Sequence, residues 1–239
     1  MKLKRSYIFI VCVVMFVLFT NIMTVNAVNT GFETNSLSEE AKNSFILNVD
    51  ILLIDKESAK KPIVCFDVNN SNKLVAVGQN TTDRKTISVY SEEGVFQYGY
   101  TFNCSGNFAV EWDKDNLNVY FVRSNVIVSV TPDAEIVEAL EVKNSIENNS
   151  YKNKLLYSTE RKIGDVEYSI ENNMGLLNLF ASSYSQVLVK DAIGAENVIY
   201  DVSSMQLANM IATVAVILVV VILAVVLITR QFIKLKHND

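Results

Sequence analysis

Ile87-Ser-Val-Tyr-Ser-Glu-Glu-Gly-Val-Phe96 and Ile127-Val-Ser-Val-Thr-Pro-Asp-Ala-Glu-Ile136 are two strand–turn–strand segments set 40 residues apart. In both, β-branched and aromatic residues lead into a four-residue turn carrying Gly or Pro-Asp, after which the apolar pattern resumes. Ile87 aligns with Ile127, Ser91–Gly94 with Thr131–Ala134, and Phe96 with Ile136. Phe66-Asp-Val68 returns as Phe108-Ala-Val110 at a spacing of 42. A period of about 40–45 residues with four strands per unit is the pattern of propeller blades.

Working outward, the first unit holds strands at Ile63–Val68, Leu74–Gly78, Thr86–Tyr90 and Val95–Phe102, with a turn at Asn69–Asn72. The second holds Asn107–Trp112, Leu117–Val122, Val126–Val130 and Glu135–Val142, with a turn at Asp113–Asn116. An Asn-rich connector, Asn144–Asn153, leads to a looser third unit of Val166–Ile170, Leu176–Phe180, Gln186–Lys190 and Asn197–Val202. Ahead of the first unit, in 28–62, Ser36-Leu-Ser-Glu39 has the form of a capping box and predicts a helix. Phe45, Leu47, Val49, Ile51 and Leu53 then alternate and predict a strand over Phe45–Ile54. The expected fold is an all-β ectodomain, an open, partial β-propeller over 63–202, with a plain antiparallel sandwich as the alternative.

The segment Ile87–Phe96, of the form I-x-V-Y-S-x-x-G-x-F, resembles β-propeller repeats of the WD-repeat or NHL kind. The general layout resembles exported single-span membrane proteins of low-GC Gram-positive bacteria. No Trp-Asp dipeptide closes a unit, since Trp112-Asp113 sits at a turn within the second one. The resemblance implies a propeller-like binding scaffold and carries no catalytic residues with it.

The two ends are apolar. Lys2, Lys4 and Arg5 precede an uncharged run from Tyr7 to Phe19, and Val25-Asn-Ala27 supplies small residues for cleavage. This predicts a secretory signal over 1–27, with an uncleaved signal anchor as the alternative. Val202 to Thr229 contains no charged side chain, and a transmembrane helix is expected over 209–229, long enough for a hydrocarbon core of about 30 Å. Arg230, Lys234 and Lys236 follow it, so a cytoplasmic tail over 230–239 and a type I orientation in the plasma membrane are expected, with the ectodomain outside. The net charge is −5; taking away +3 before the first run and +2 after the last leaves −10 between them. That balance repels phosphate backbones and argues against nucleic acid as a partner.

His237 is the single histidine and falls in the tail, which removes Ser-His-Asp and Cys-His chemistry and His metal ligands from the ectodomain. No catalytic, cofactor or metal residues are expected. Asp67-x-Asn69-x-Ser71 and Asp113-x-Asp115 lack the glycine and bidentate glutamate of a calcium loop and read as solvated turns. Cys65 and Cys104 form an even pair in an exported domain, so a disulfide is allowed, with two free buried thiols as the alternative. Trp112 and Arg123 are the candidate ligand surface, the first for stacking and the second for an anion. Phe96, Tyr98, Tyr100 and Phe102 alternate onto one face, expected to be core. The expected function is a cell-surface, non-enzymatic module binding a protein, peptide or glycan, with an open sheet edge inviting a partner or a second copy. A carboxylate-dependent hydrolase of cell-wall polysaccharide, using Glu111 and its neighbours, is the alternative. A subunit of a membrane complex is a third.

Overall fold

The computed structural model describes residues 28–81, 84–181 and 183–236. The predicted signal over 1–27, with Cys12, and the tail residue His237 lie outside the described residues. The protein is mostly β, with 14 strands in three antiparallel sheets. The middle sheet contains β2 (Leu52–Ile54), β3 (Ile63–Val68), β4 (Val75–Asn80), β5 (Lys85–Tyr90) and β6 (Phe96–Phe102), in the order β2-β6-β5-β4-β3. A second sheet contains β1 (Thr34–Ser36), β7 (Phe108–Asp113), β8 (Asn116–Phe121), β9 (Val126–Val130) and β10 (Ile136–Val142), in the order β1-β10-β9-β8-β7. The third contains β11 (Glu160–Ile163), β12 (Val166–Glu171), β13 (Gln186–Lys190) and β14 (Glu196–Asp201), in sequence order. Among the described residues there are also α1 (Glu39–Val49), α2 (Ile146–Tyr157) and α3 (Ser203–Lys236).

The strands of the middle sheet are apolar on both faces, and this explains the stacking. Cys65, Ala76, Ile87, Val89, Tyr100 and Phe102 pack against Phe108, Val110, Leu117 and Val119 of the second sheet. Phe66, Val68, Val75, Val77 and Tyr90 pack against Tyr168, Val187 and Tyr200 of the third. The outer face of the second sheet is covered by Phe32 and by Leu155 and Tyr151 of α2. The three sheets therefore form an open stack and do not close into a ring. The same hairpin joins the last two strands of each sheet: Gly94 N donates to Ser91 O, Ala134 N to Thr131 O and Gly194 N to Asp191 O, each at 3.0 Å. Those residues have φ of 79°, 66° and 85°, the left-handed position that follows a type I turn in a three-residue hairpin loop.

Several expectations are corrected. Phe45–Val49 is the end of α1, capped by Ser38 rather than Ser36, and only Leu52–Ile54 is strand. Phe45 and Val49 are four apart and share a helix face toward the core, while Leu47, which alternation would bury, is 79% exposed. The Asn-rich connector is largely helix α2, capped by Ser145 and fixed by a buried Asn148 that bonds Glu33 and Lys143 carbonyls. Leu176–Phe180 is a 3₁₀ helix, and the first strand of the third sheet is Glu160–Ile163 instead. A register shift between Val89 and Tyr90 separates Phe96 from Tyr98, Tyr100 and Phe102, so Phe96 packs toward the third sheet.

Cys65 and Cys104 are free thiols, which corrects the disulfide expectation in favour of its alternative. Cys65 sits on β3 and Cys104 just beyond β6, three strands apart in the middle sheet. At about 4.8 Å per strand that is roughly 14 Å, about twice the Cα separation a disulfide spans.

Ser203–Arg230 is long and apolar enough to cross a membrane. One residue, Val202, separates β14 from α3. The first helical turn belongs to the head: Met205 packs on the core shared by the middle and third sheets, and buried Gln206 donates Nε2 to Ser183 O at 3.0 Å.

Candidate functional site

β3 and β7 run side by side in the same direction, and Arg161 of β11 reaches across to β3. Trp112 N of β7 donates to Asp67 Oδ2 of β3 at 2.8 Å, and Asn69 Nδ2 donates to Lys114 O at 2.5 Å. From β11, Arg161 Nε meets Asp67 Oδ1 at 2.7 Å and Nη2 donates to Phe66 O at 3.2 Å. The Arg161 guanidinium also lies over the Phe66 ring, 5.0 Å from its centroid. Three residues far apart in sequence, Asp67, Trp112 and Arg161, thus meet where the sheets converge.

Two clefts flank this junction. One, of about 430 Å³, is lined by Asn29, Asn69, Asn70, Ser71, Lys114 and Lys162 around Asp67, Trp112 and Arg161. The other, of about 360 Å³, continues past Trp112 and Arg161 to Glu111, Tyr151, Lys154 and Glu160. Trp112 therefore faces both clefts, while its Nε1 reaches Asp67 O at 3.4 Å. A planar aromatic edge bordered by amides, hydroxyls and amines can hold a polar chain by stacking and hydrogen bonding.

A strap from Asn29 to Phe32 engages the carboxylates that the sequence offers for hydrolysis. Asn29 N donates to Asp113 Oδ2 at 2.8 Å, and Asn118 Nδ2 donates to Asn29 O at 3.0 Å. Glu111 accepts hydrogen bonds from Thr30 Oγ1 and Tyr151 OH. Phe32 stacks between Tyr120, at 4.7 Å, and Tyr151, at 4.9 Å. Gly31 is required there, because a Cβ would fall 2.1 Å from the Tyr151 ring. Asp67 is not a solvated turn residue: it is a mostly buried member of β3.

Burial raises the pKa of Asp67, opposed by the Arg161 charge, and raises that of Glu111, opposed by Thr30 and Tyr151. A carboxyl raised on folding keeps its proton in the folded state over a range where the unfolded chain has lost it. Its stabilising contribution is full below the ordinary carboxylate range and disappears as pH rises through the raised value. Urea unfolding of the detergent-solubilised chain is therefore expected to show stability falling with pH above the ordinary glutamate range. Glu111→Gln is expected to flatten that slope; an unchanged slope would remove Glu111 as its source.

Arg123 does not join Trp112. It is an exposed residue of the β8–β9 turn, lining a separate cleft of about 450 Å³ with Phe45, Asn48 and Cys104. Phe108 pairs with Phe121 and Asp113 with Asn116, so Arg123 and Trp112 lie at opposite ends of the second sheet. Arg161 goes unnamed in the sequence reading, which places Asp67 in a solvated turn. Their only sequence signal is a lone carboxylate on the core-facing side of β3 beside Cys65.

No protein-family model, curated protein or solved structure matches this chain.

Proposed function

We propose that the chain is a membrane-anchored, non-enzymatic binding module on the cell exterior, its head an open three-bladed propeller. Its ligand site is the Trp112 cleft. The observation carrying this reading is the convergence of β3, β7 and β11 on one contact between Asp67, Trp112 and Arg161, with clefts on both sides. Innermost strands of propeller blades line a central channel, and the parallel approach of β3 and β7, with Arg161 of β11 reaching β3, supports that architecture.

The position of the site supports an outward-facing role. Ile63, at the start of β3, bridges Tyr184, and neighbouring Ser183 contacts Gln206 in the first turn of α3. Asp67, near the other end of β3, and Asn69, just beyond it, lie about 13 and 20 Å away at 3.3 Å per residue. The ligand best suited to the cleft is a hydrogen-bonding chain, a peptide or glycan segment. The engagement of Glu111 and Asp113 by the strap favours binding over hydrolysis. Unlike β6 and β10, which carry β2 and β1 on their outer sides, β14 has no strand beyond it among the described residues, and this supports strand addition by a partner chain.

A photocrosslinking residue in place of Asn70 is expected to give a discrete adduct in intact cells. The same residue in place of Arg123 is expected to give none. An adduct at Arg123 alone, or at neither position, would sink the assignment of the cleft.

A further inference from the structure

Leu176 and Leu179 are 90% and 88% exposed on the 3₁₀ helix Gly175–Phe180. A 3₁₀ helix has three residues per turn, so side chains three apart project together. Asn178, itself exposed, braces the turn: its Oδ1 accepts from Met174 N at 2.8 Å and its Nδ2 donates to Asn172 O at 2.9 Å. Met174 is buried beneath the turn. The turn is therefore a held structure that presents two leucines to its surroundings.

Its place in the fold names those surroundings. Glu171 pairs with Gln186, and Gln186 with Asp201, so both ends of the β12–β13 connection lie beside the last strand residue before α3. Ser203 Oγ lies 3.2 Å from Ser185 Oγ, and Gln206 reaches Ser183. From Gln206 to Ile211, where the continuous apolar run begins, a helix rises about 7.5 Å, the depth of a headgroup layer. No Asp, Glu, Lys or Arg occurs between Glu171 and Lys190, so nothing charged opposes contact with lipid.

We infer that Leu176 and Leu179 insert into the outer bilayer interface beside α3, giving the head a second, monotopic contact with lipid. The inference rests on the reading that α3 crosses the membrane. The leucines continue the apolar surface of that helix laterally, as amphipathic segments at an interface do.

Tryptophan quenching by brominated acyl chains tests it, using the full chain in liposomes, with the native Trp112 signal subtracted. Three variants are compared: Leu179→Trp, Asp115→Trp in the exposed β7–β8 turn, and Val219→Trp within α3. Leu179→Trp and Val219→Trp are expected to lose at least half of their emission, and Asp115→Trp to lose none. If Val219→Trp is quenched while Leu179→Trp resembles Asp115→Trp, the interfacial contact is refuted and the span stands. If Val219→Trp is not quenched, the span reading fails and this inference fails with it.

Discussion

Arg161→Met is expected to destabilise the head by about 3–5 kcal/mol, the loss typical when one partner of a buried ion pair is removed. The side chains of Arg161 and Asp67 are 18% and 15% exposed, so solvent screens the orphaned carboxylate poorly. Phe66 O loses its Nη2 donor as well, and the cation–π contact with the Phe66 ring disappears. Adding Asp67→Asn removes the unpaired charge while keeping an oxygen to accept from Trp112 N. The double variant is therefore expected to recover most of the loss. The sign with pH is also fixed. Without the guanidinium, burial raises the Asp67 pKa further, so the deficit of Arg161→Met should shrink as pH falls. Chemical unfolding at two pH values separates these outcomes; a double variant no more stable than the single one would show that the pair's charge is not the issue.

Phe32→Ala should have an effect of similar size, about 3–5 kcal/mol, through a different mechanism. The ring is 6% exposed and fills the space between Tyr120, Tyr151 and α2. Its loss leaves a cavity and frees the strap whose Thr30 and Asn29 bond to Glu111 and Asp113. For a domain of this size the change corresponds to a melting-point drop of about 10 °C. Thermal melting of the detergent-solubilised protein measures it. A drop below about 2 °C would mean that the strap contributes little to the fold.

The strands from Ile63 to Val142 were legible because they are short runs of apolar, β-branched and aromatic residues separated by turns rich in Asn, Asp, Gly and Pro. The apolar helix near the C-terminus was legible for the same reason in its simplest form, an uninterrupted run. Phe45–Val49 was not, since Phe45 and Val49 satisfy both a two-residue and a four-residue spacing, and only Leu47 tells them apart. The α2 helix was hidden because it buries just Asn148 and Leu155 and otherwise reads as a polar linker. At the site, Trp112 stood out as the single tryptophan, but Asp67, the residue that joins it to Arg161, lies 45 residues from Trp112 and 94 from Arg161. Only the stacking of three sheets reveals that encounter. Arg123 was singled out by its apolar neighbours, and pattern alone could not place it at the opposite end of its sheet.

The single residue between β14 and α3, with Gln206 bolted to Ser183, makes head and anchor one stiff lever. A helix tilt of about 20°, common for spans that adjust to bilayer thickness, would sweep a point 20 Å above the pivot sideways by about 7 Å. Were α3 to span a bilayer, bilayer thickness would thereby set where the Trp112 cleft points, with no flexible tether to absorb the change.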